Sequence, residues 1–410
     1  MEKKLKNSSS TDIAIIGGGP SSAFAAIEAL KKKREVEIFE EHSKIGVPIQ
    51  CAGLISLSGF KRLKIRVPKD CIQNKVRGSI IYSPNNNKII IKRKSTQALV
   101  IDRGNLDNYL IRSAENLDGK IHTKARVLEL LKGKNNSILG IKINKDGKII
   151  EKHSKIVIDG EGVQARFIRQ AGLRKVKRSY ILPAVQYEMS KVDIIHDFVE
   201  MFFGRKISPG FFSYIIPTSE ETARVAVATN YGRPIDYLKY FIKKHPIASK
   251  KLQKGKIDKI SAGSILIGGP IKKTYSNQFL GIGDAVGHVK PTTGGGVVLG
   301  GLCAKIAGEI AAESIDKNDT SENFLMKYDK IWRKRFGKEF QYQKLLRLLI
   351  NNVPDKILDK GFEVISKNNI VELVEEIGDM DLQSSLLKKV LFSPRIFKLL
   401  ISFIYALIFP

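Results

Sequence analysis

Apolar residues first become dense at Ile13–Ile16, a pattern typical of a strand buried on both faces of a parallel sheet. Three glycines follow directly, and Ala23–Leu30 has the composition of a helix. A second apolar run, Val36–Phe39, ends at the acidic residue Glu40. Strand, glycine turn, helix, strand and acid in this order predict a βαβ unit whose turn and helix N-terminus accept a phosphate group.

Shorter alternating patterns occupy the middle of the chain. Gly78–Tyr82 and Lys88–Lys92, joined by a turn-forming segment, predict a β-hairpin. Short strands are expected between residues 121 and 150, and a buried strand at Ile156–Asp159. The stretch 183–230 is again rich in strand-forming residues. These patterns predict a mixed α/β protein.

A third landmark, Phe279–Glu313, combines a short strand, an acid, a glycine-rich turn and a long helix of small residues. Beyond Asp316 the pattern is helical and amphipathic to the end of the chain. Residues 396–410 are nearly all apolar, but this run contains Lys398 and is shorter than the roughly 18–20 residues that cross a bilayer. It is expected either to pack on the protein or to lie at a membrane interface.

The composition adds a strong basic bias. Lys and Arg number 70 against 41 Asp and Glu, so this chain of 410 residues carries a formal net charge of +29. The charge favours anionic partners, but nucleic acid is the weaker choice because the lysines are dispersed and no nucleic-acid motif is present. The three cysteines include no CxxC pair, which indicates a reducing compartment. The histidines form no metal-ligand pattern, so no metal is expected, and the N-terminus lacks the apolar run of a signal peptide.

Two glycine-rich turns carry the candidate cofactor chemistry. In the first, Gly17 permits a tight turn, Gly19 lets the backbone approach a pyrophosphate, and Glu40 accepts hydrogen bonds from ribose hydroxyls. In the second, Asp284 suits a ribitol or ribose hydroxyl, and Gly294–Gly296 open a helix whose amides can face an anion. Two distant sites for one extended cofactor favour FAD over NAD.

Together with Ile101–Asp107 and Ile158–Gly172, these motifs resemble the FAD-binding fold shared by p-hydroxybenzoate hydroxylase, squalene epoxidase and geranylgeranyl reductases. The resemblance implies a Rossmann-like α/β FAD-binding domain with an inserted antiparallel-sheet substrate domain and a C-terminal helical region. The expected boundaries are 1–70, 97–172 and 263–315 for the FAD-binding domain, 71–96 and 173–262 for the substrate domain, and 316–410 for the helical region.

Within that group, Ile45–Ser56 and Pro209–Pro217 are similar to the geranylgeranyl reductase branch, in which a loop cysteine lies beside the flavin and a second segment lines a lipid channel. The resemblance makes Cys51 the candidate catalytic residue, as a proton donor or in shaping the pocket. A free cysteine is otherwise more often an inert buried residue. The predicted cofactor set is Gly17, Gly19, Pro20, Ser22, Glu40, Gly46, Cys51, Ala52, Arg103, Asp159, Gly160, Asp284, Gly294, Gly295 and Gly296. The predicted channel residues are Pro209, Phe211, Phe212, Tyr214, Ile216 and Pro217.

The resemblance implies an FAD-dependent reductase of isoprenoid double bonds. Its expected substrates are geranylgeranyl chains of archaeal-type membrane-lipid precursors, either digeranylgeranylglycerophospholipid or geranylgeranyl diphosphate. Its expected electron donor is NADPH or ferredoxin, and its expected location is cytoplasmic with peripheral membrane contact. Two alternatives stay open: an FAD-dependent monooxygenase on the same fold, and a flavin electron-transfer protein that docks at a membrane.

Overall fold

The computed structural model describes residues 10–134, 137–367 and 370–386. Its strands, in chain order, are β1 (Ser10–Ile16), β2 (Val36–Phe39), β3 (Leu54–Ser56), β4 (Ile72–Val76), β5 (Gly78–Tyr82), β6 (Lys88–Lys92), β7 (Ala98–Ile101), β8 (Lys120–His122), β9 (Ala125–Lys132), β10 (Ile138–Lys145), β11 (Lys148–Asp159), β12 (Ile181–Ser190), β13 (Phe198–Phe202), β14 (Ser213–Pro217), β15 (Thr222–Ala228), β16 (Lys256–Leu266), β17 (Tyr275–Ser276) and β18 (Phe279–Gly281).

The α-helices are interspersed among groups of strands in the first part of the chain and follow one another from residue 297 onward. They are α1 (Pro20–Lys31), α2 (Leu57–Leu63), α3 (Arg103–Glu115), α4 (Arg166–Gln170), α5 (Pro234–Lys244), α6 (Ala248–Leu252), α7 (Val297–Asp316), α8 (Glu322–Trp332), α9 (Lys338–Asn352), α10 (Asp355–Lys367) and α11 (Ile370–Ile377). A π-helical turn, Arg333–Gly337, joins α8 to α9.

An eight-stranded sheet positions the glycine turns. Its central strands run in the order β18, β11, β1, β2 and β8, and all of these pairs are parallel. Ile16 is opposite both Phe39 and Asp159, and Asp159 is opposite Gly281. Because the carboxyl ends of parallel strands meet at one edge, the segments after β1, β2, β11 and β18 all leave the sheet at the same place.

The second half of the fold is a seven-stranded sheet in the order β16, β12, β15, β14, β13, β5 and β6. Its strand pairs are antiparallel except for β13 and β5. It therefore draws on residues 78–92 and 181–266 from two separate parts of the chain. A small three-stranded sheet has the order β3, β7 and β4, and its central strand β7 leads directly into helix α3.

Helices α1 and α7 pack closely in the core of the first sheet. A side chain at Gly308 of α7 would collide with the backbone carbonyl of Ala25 in α1, and one at Gly301 would meet the ring of Phe24. Glycine at these positions therefore lets two buried helices approach backbone to backbone, which brings their N-terminal ends together at the edge of the sheet.

Several expectations were met and others differ. The hairpin β5–β6 and strand β2 have the predicted bounds. The strand expected at Ile156–Asp159 is only the end of β11, whose first residues pair antiparallel with β10 before the strand turns parallel beside β1. No helix among the described residues combines the length and apolar character needed to cross a bilayer. The apolar segment 396–410 lies outside the described residues.

Candidate active site

The first glycine turn forms between β1 and α1. Gly17 has φ +89°, and its N–H donates to the carbonyl of Phe39 at 2.9 Å. An added Cβ there would lie 2.7 Å from the carbonyl oxygen of Gly160, so only glycine fits. Gly19 is the N-cap of α1 and makes no side-chain cap, and Pro20 takes the first helical position. An added Cβ on Gly19 meets no atom within 4 Å, so this side of the turn is open.

Glu40 lies directly against this turn. Its Oε2 accepts a hydrogen bond from the Gly18 N–H at 2.7 Å, and its Oε1 accepts one from the His42 N–H at 2.8 Å. The carboxylate is therefore held in one orientation beside the phosphate-accepting amides. This is the placement that the βαβ pattern predicts for a ribose-binding acid.

Asp159 and Gly160 occupy the end of β11, next to the same turn. Asp159 is fully buried, its Oδ1 accepts from the Glu161 N–H at 3.0 Å, and its Oδ2 has no hydrogen-bond partner. Burial, and then the nearby Glu161, raises the pKa of Asp159 well above its usual value. Ser22 is also fully buried and packs against Gly160. A side chain at position 160 would collide with the Ser22 hydroxyl.

The GD motif brings a third element to this edge. An added Cβ on Gly283 would lie 2.6 Å from Oγ of Ser21, in the first turn of α1. Asp284 lies against Gly296, since an added Cβ on Gly296 would be 2.7 Å from its Oδ1. Burial raises the pKa of Asp284, and the charge of Arg103 partly offsets this. Arg103 and Asp284, 181 positions apart in the sequence, therefore lie close enough for their charges to interact.

Arg103 is the first residue of α3 and is held by a bidentate ion pair with Asp107, with N–O distances of 3.1 and 2.9 Å. Burial opposes the charged form of Arg103, but Asp107 and then Cys51 raise the pKa of its guanidinium above the usual range. The predicted Gly46 packs against the backbone of Gly104 in the same helix. The loop that carries Cys51 is thus adjacent to α3.

The second glycine turn precedes α7. The N–H of Gly294 donates to the carbonyl of Lys290 at 2.8 Å, and the N–H of Lys290 donates to the carbonyl of Gly295 at 3.1 Å. Gly296 is the N-cap of α7 and offers no side-chain cap to the first amides of this helix. These amides can therefore hydrogen-bond an anion.

These residues fit the cofactor that the sequence predicts. Two uncapped helix N-termini, α1 and α7, meet at one edge of the sheet. Glu40 lies at one end of this edge and Arg103 with Asp284 at the other. Asp159, at the end of β11 between β18 and β1, has a buried oxygen without a hydrogen-bond partner. Separate acceptors for hydroxyl groups and donors for phosphates match the chemistry of an extended dinucleotide such as FAD.

Cys51 lies in the loop before β3, half-buried, and its sulfur is 3.5 Å from the N–H of Gly53. The carbonyl of the next residue, Ala52, accepts a hydrogen bond from Nη1 of Arg224 at 2.8 Å. Ala52 also packs in one apolar cluster with Tyr214 and Ile216. The segment around Cys51, residues 45–53, is called the cysteine loop below. It therefore contacts β14, the strand predicted to line the lipid channel.

The aromatic segment around β14 forms a packed group. The rings of Phe211 and Phe212 stack at 4.2 Å, and Tyr214 donates from its hydroxyl to Oε1 of Gln186 at 2.8 Å. Burial, and then Cys51, raises the pKa of the Tyr214 phenol, so this group keeps its proton at neutral pH. Tyr214 and Ile216 point to the same face of β14, because successive side chains alternate in a strand.

Not all predicted channel residues face this cluster. By the same alternation, Pro217 projects from the face of β14 opposite Tyr214, and Pro209 lies in the loop where its carbonyl accepts from the Asn230 N–H. Phe211 and Phe212 are 4% and 6% exposed. Their rings are therefore packed inside the protein and do not line an open tunnel. Two shallow surface cavities of about 350 and 290 Å³ lie at the opposite edge of the first sheet, near Asp12 and Lys155.

Three buried cations near the site were not anticipated from the motifs. Arg224 contacts the cysteine loop, Arg347 of α9 donates to the carbonyls of Pro291 and Thr292, and Lys290 pairs with Asp381. Only Arg224 had a visible indication in the sequence, since a charge interrupts the apolar strand β15. Among the described residues, no group of three or more His, Cys, Asp or Glu could hold a metal ion.

Comparison with known proteins agrees with this architecture. A family model described as the geranylgeranyl reductase catalytic domain matches residues 181–265. An uncharacterised protein of Methanocaldococcus jannaschii is 37% identical over 94% of this chain and 96% of its own. A digeranylgeranylglycerophospholipid reductase of Methanococcus aeolicus is 31% identical over 88% of this chain and 93% of its own.

The similarity extends to a solved structure. A geranylgeranyl bacteriochlorophyll reductase-like protein from Thermoplasma acidophilum superposes with a TM-score of 0.85 at 26% identity, over 96% of this chain and 99% of that one. The strand order, the glycine turns and these relatives lead to one conclusion. The chain belongs to the geranylgeranyl reductase family of FAD-dependent oxidoreductases.

Proposed function

We propose that this protein uses FAD to saturate isolated double bonds in the geranylgeranyl chains of an archaeal-type membrane-lipid precursor. The observation that carries the proposal is the contact between the cysteine loop and β14, through Ala52 and Tyr214, beside the residues Arg103 and Asp284 of the cofactor edge. A relative that is 31% identical over most of the chain is named as a reductase of such a lipid.

The residues that would hold FAD follow from the site. The first glycine turn and Glu40 would bind the adenosine and pyrophosphate half, and Arg103 with Asp284 would bind the middle of the cofactor. The amides at Gly294–Gly296 would face the edge of the flavin ring that becomes negative on reduction. When bound there, FAD supplies a hydride equivalent for one carbon of the alkene.

The protein must then hold the alkene in line and supply a proton for the second carbon. Cys51 is the proposed source of that proton. Its sulfur lies close to the side chains of Arg103 and Tyr214. The apolar face of β14, together with Phe211 and Phe212, would hold the prenyl chain and exclude water, which requires these packed rings to move apart.

An anaerobic turnover experiment tests the proposal. The FAD-loaded protein is reduced, mixed with a geranylgeranylated glycerophospholipid, and followed by flavin absorbance and by the mass of the lipid. We expect reoxidation of the flavin together with a mass gain in steps of two hydrogens. Reduced flavin that lipid leaves unchanged would contradict the reductase, and turnover that requires O₂ would favour the monooxygenase.

A cysteine variant tests the role of Cys51. We expect Cys51→Ser to bind FAD normally and to reduce lipid more slowly by about 10²–10⁴-fold, the usual contribution of a positioned proton donor. Cys303→Ser is the matched control, because Cys303 is buried in α7. Equal turnover in wild type and Cys51→Ser would remove Cys51 from the reaction.

The electron donor and the peripheral membrane contact stay predictions, as do the three domain boundaries. The net charge of +29 supports contact with an acidic membrane surface, where the proposed substrate is found.

A further inference from the structure

A short turn near the end of the described chain, Asp379–Gln383, packs against the second glycine turn; we call it the acidic turn. Nζ of Lys290 donates to Oδ1 of Asp381 at 2.7 Å and to the carbonyl of Met380 at 2.9 Å. The side chains are 10% exposed for Lys290 and 1% for Asp381. A buried ion pair therefore links the acidic turn to the loop that precedes α7.

The pair is firmly held. The hydroxyl of Ser56, which caps α2 after the cysteine loop, donates to Oδ2 of Asp381. Nε2 of Gln343 in α9 donates to the backbone carbonyl of Asp381 at 3.0 Å. Arg62 pairs with Asp379 at 2.6 Å and lies 4.0 Å from Asp381. Lys290 with Asp381, and Arg62 with Asp379, thus form two ion pairs in this cluster. A third carboxylate, the buried Glu339, accepts hydrogen bonds from Gln343 and from the N–H of Gln383.

The charge of Lys290 lies very close to the glycine turn. An added Cβ on Gly295 would be 2.8 Å from Cε of Lys290 and 3.4 Å from its Nζ. The backbone of Lys290 is also hydrogen-bonded to Gly294 and Gly295, so the residue is itself part of the turn. A charge that is removed from water acts over several ångströms with little screening.

We propose that Lys290 and Asp381 set the reduction potential of the bound FAD, Lys290 by favouring the anionic reduced ring and Asp381 by limiting that effect. This inference rests on the proposed position of the flavin edge at Gly294–Gly296. Reduction of the flavin by two electrons places negative charge on that edge, so an unbalanced cation nearby raises the potential and an unbalanced carboxylate lowers it.

The test is anaerobic potentiometry of the FAD-loaded protein against a dye of known potential, which needs no lipid substrate. We expect Asp381→Asn to raise the potential and Lys290→Gln to lower it. Each change should be at least tenfold in the ratio of reduced to oxidised flavin, about 30 mV for two electrons. The double variant should return close to the wild-type value, and Lys290→Arg, which keeps the charge, should stay there.

Lys142→Gln is the control, because Lys142 pairs with Glu129 on the surface of the β9–β10 hairpin. Its potential should equal that of the wild type. If Asp381→Asn does not fold, the reduction potential of Lys290→Gln decides. A lower potential than in the wild type supports the proposal, and an unchanged potential contradicts it. Wild-type potentials in both single variants would overturn the proposal.

A further variant separates this outcome from a misplaced cofactor. Asp284→Asn should weaken FAD binding if Asp284 holds the middle of the cofactor. Weaker binding in Asp284→Asn, with unchanged potentials in the charge variants, would overturn the electrostatic role alone. Unchanged FAD affinity in Asp284→Asn would instead overturn the proposed cofactor position.

Discussion

Arg224 is the one charged residue in β15, a strand otherwise built from threonine, alanine and valine. Its guanidinium is buried and donates to the carbonyls of Ala52 and Ile101 and to Oε1 of Gln73. An added Cβ on Gly53 would collide with its Nη1, so the cysteine loop closes tightly around the arginine. At the scale of single residues, this side chain ties the cysteine loop to β15, the neighbour of the strand that carries Tyr214.

Replacing Arg224 should therefore loosen the cysteine loop. In Arg224→Gln, the carbonyls of Ala52 and Ile101 lose a buried donor, at a cost of about 1–3 kcal/mol each. We expect Cys51 to react with a thiol reagent roughly tenfold faster, equivalent to about 1.4 kcal/mol of loop opening. Cys71 and Cys303 are both fully buried, so the reaction rate reports Cys51.

Arg233→Gln serves as the comparison, because Arg233 is exposed in the same part of the chain. It should leave the thiol reaction unchanged. If Cys51 reacts at the wild-type rate in Arg224→Gln, the arginine does not position the loop.

At the scale of elements, α9 connects the two parts of the site. Arg347 lies over the ring of Phe211 at 4.6 Å and donates from Nε to the carbonyl of Pro291 at 3.1 Å. It also donates to the carbonyl of Thr292. One helix of the C-terminal region thus supports both the aromatic segment and the loop before the second glycine turn.

This coupling predicts a joint effect in Arg347→Met. The methionine keeps an apolar stem but leaves the two carbonyls unpaired, so the free energy of unfolding should fall by about 1–3 kcal/mol for each carbonyl. FAD should also bind more weakly, because the glycine turn loses its support. Urea unfolding and FAD titration measure the two effects. Arg335→Met, at an exposed position of the preceding turn, should change neither.

The sequence predicted those elements that local patterns define. Alternation fixed the bounds of β5 and β6, and the order of strand, glycines and acid placed Gly17 beside Glu40. The contacts of Arg224, Arg347 and Asp381 could not be predicted, because their partners lie far along the chain and a residue pattern contains no information on distant pairing. The full length of β11 was missed because a polar and charged run, residues 151–155, separates its two apolar parts.

At the scale of the whole molecule, burial makes the fold sensitive to acid. His288 is fully buried against Trp332, at 4.6 Å between ring centroids, and neither of its ring nitrogens has a partner in the described structure. Burial, and then the charge of Arg333, lowers the pKa of His288 to about 3. The folded protein therefore keeps this ring neutral at pH values where the unfolded chain binds a proton.

This gives a defined pH dependence. Above the unfolded pKa of about 6.5 the histidine contributes no pH dependence, and as the pH falls towards 3 stability is lost by up to about 1.4 kcal/mol per pH unit. We expect His288→Phe to remove this loss while matching or exceeding the wild-type stability at pH 7. Urea unfolding of both proteins between pH 7 and pH 4 measures the difference. Parallel curves for the two proteins would contradict the assignment.

The edge where β1, β11 and β18 end has a consequence for synthesis. Gly17 leaves the ribosome early, whereas Asp284 and the start of α7 follow about 270 residues later. FAD binding needs both the first glycine turn and the second glycine turn before α7. A nascent chain that stops before α7 therefore lacks half of the cofactor site. The protein can therefore bind its flavin only after most of the chain has been translated.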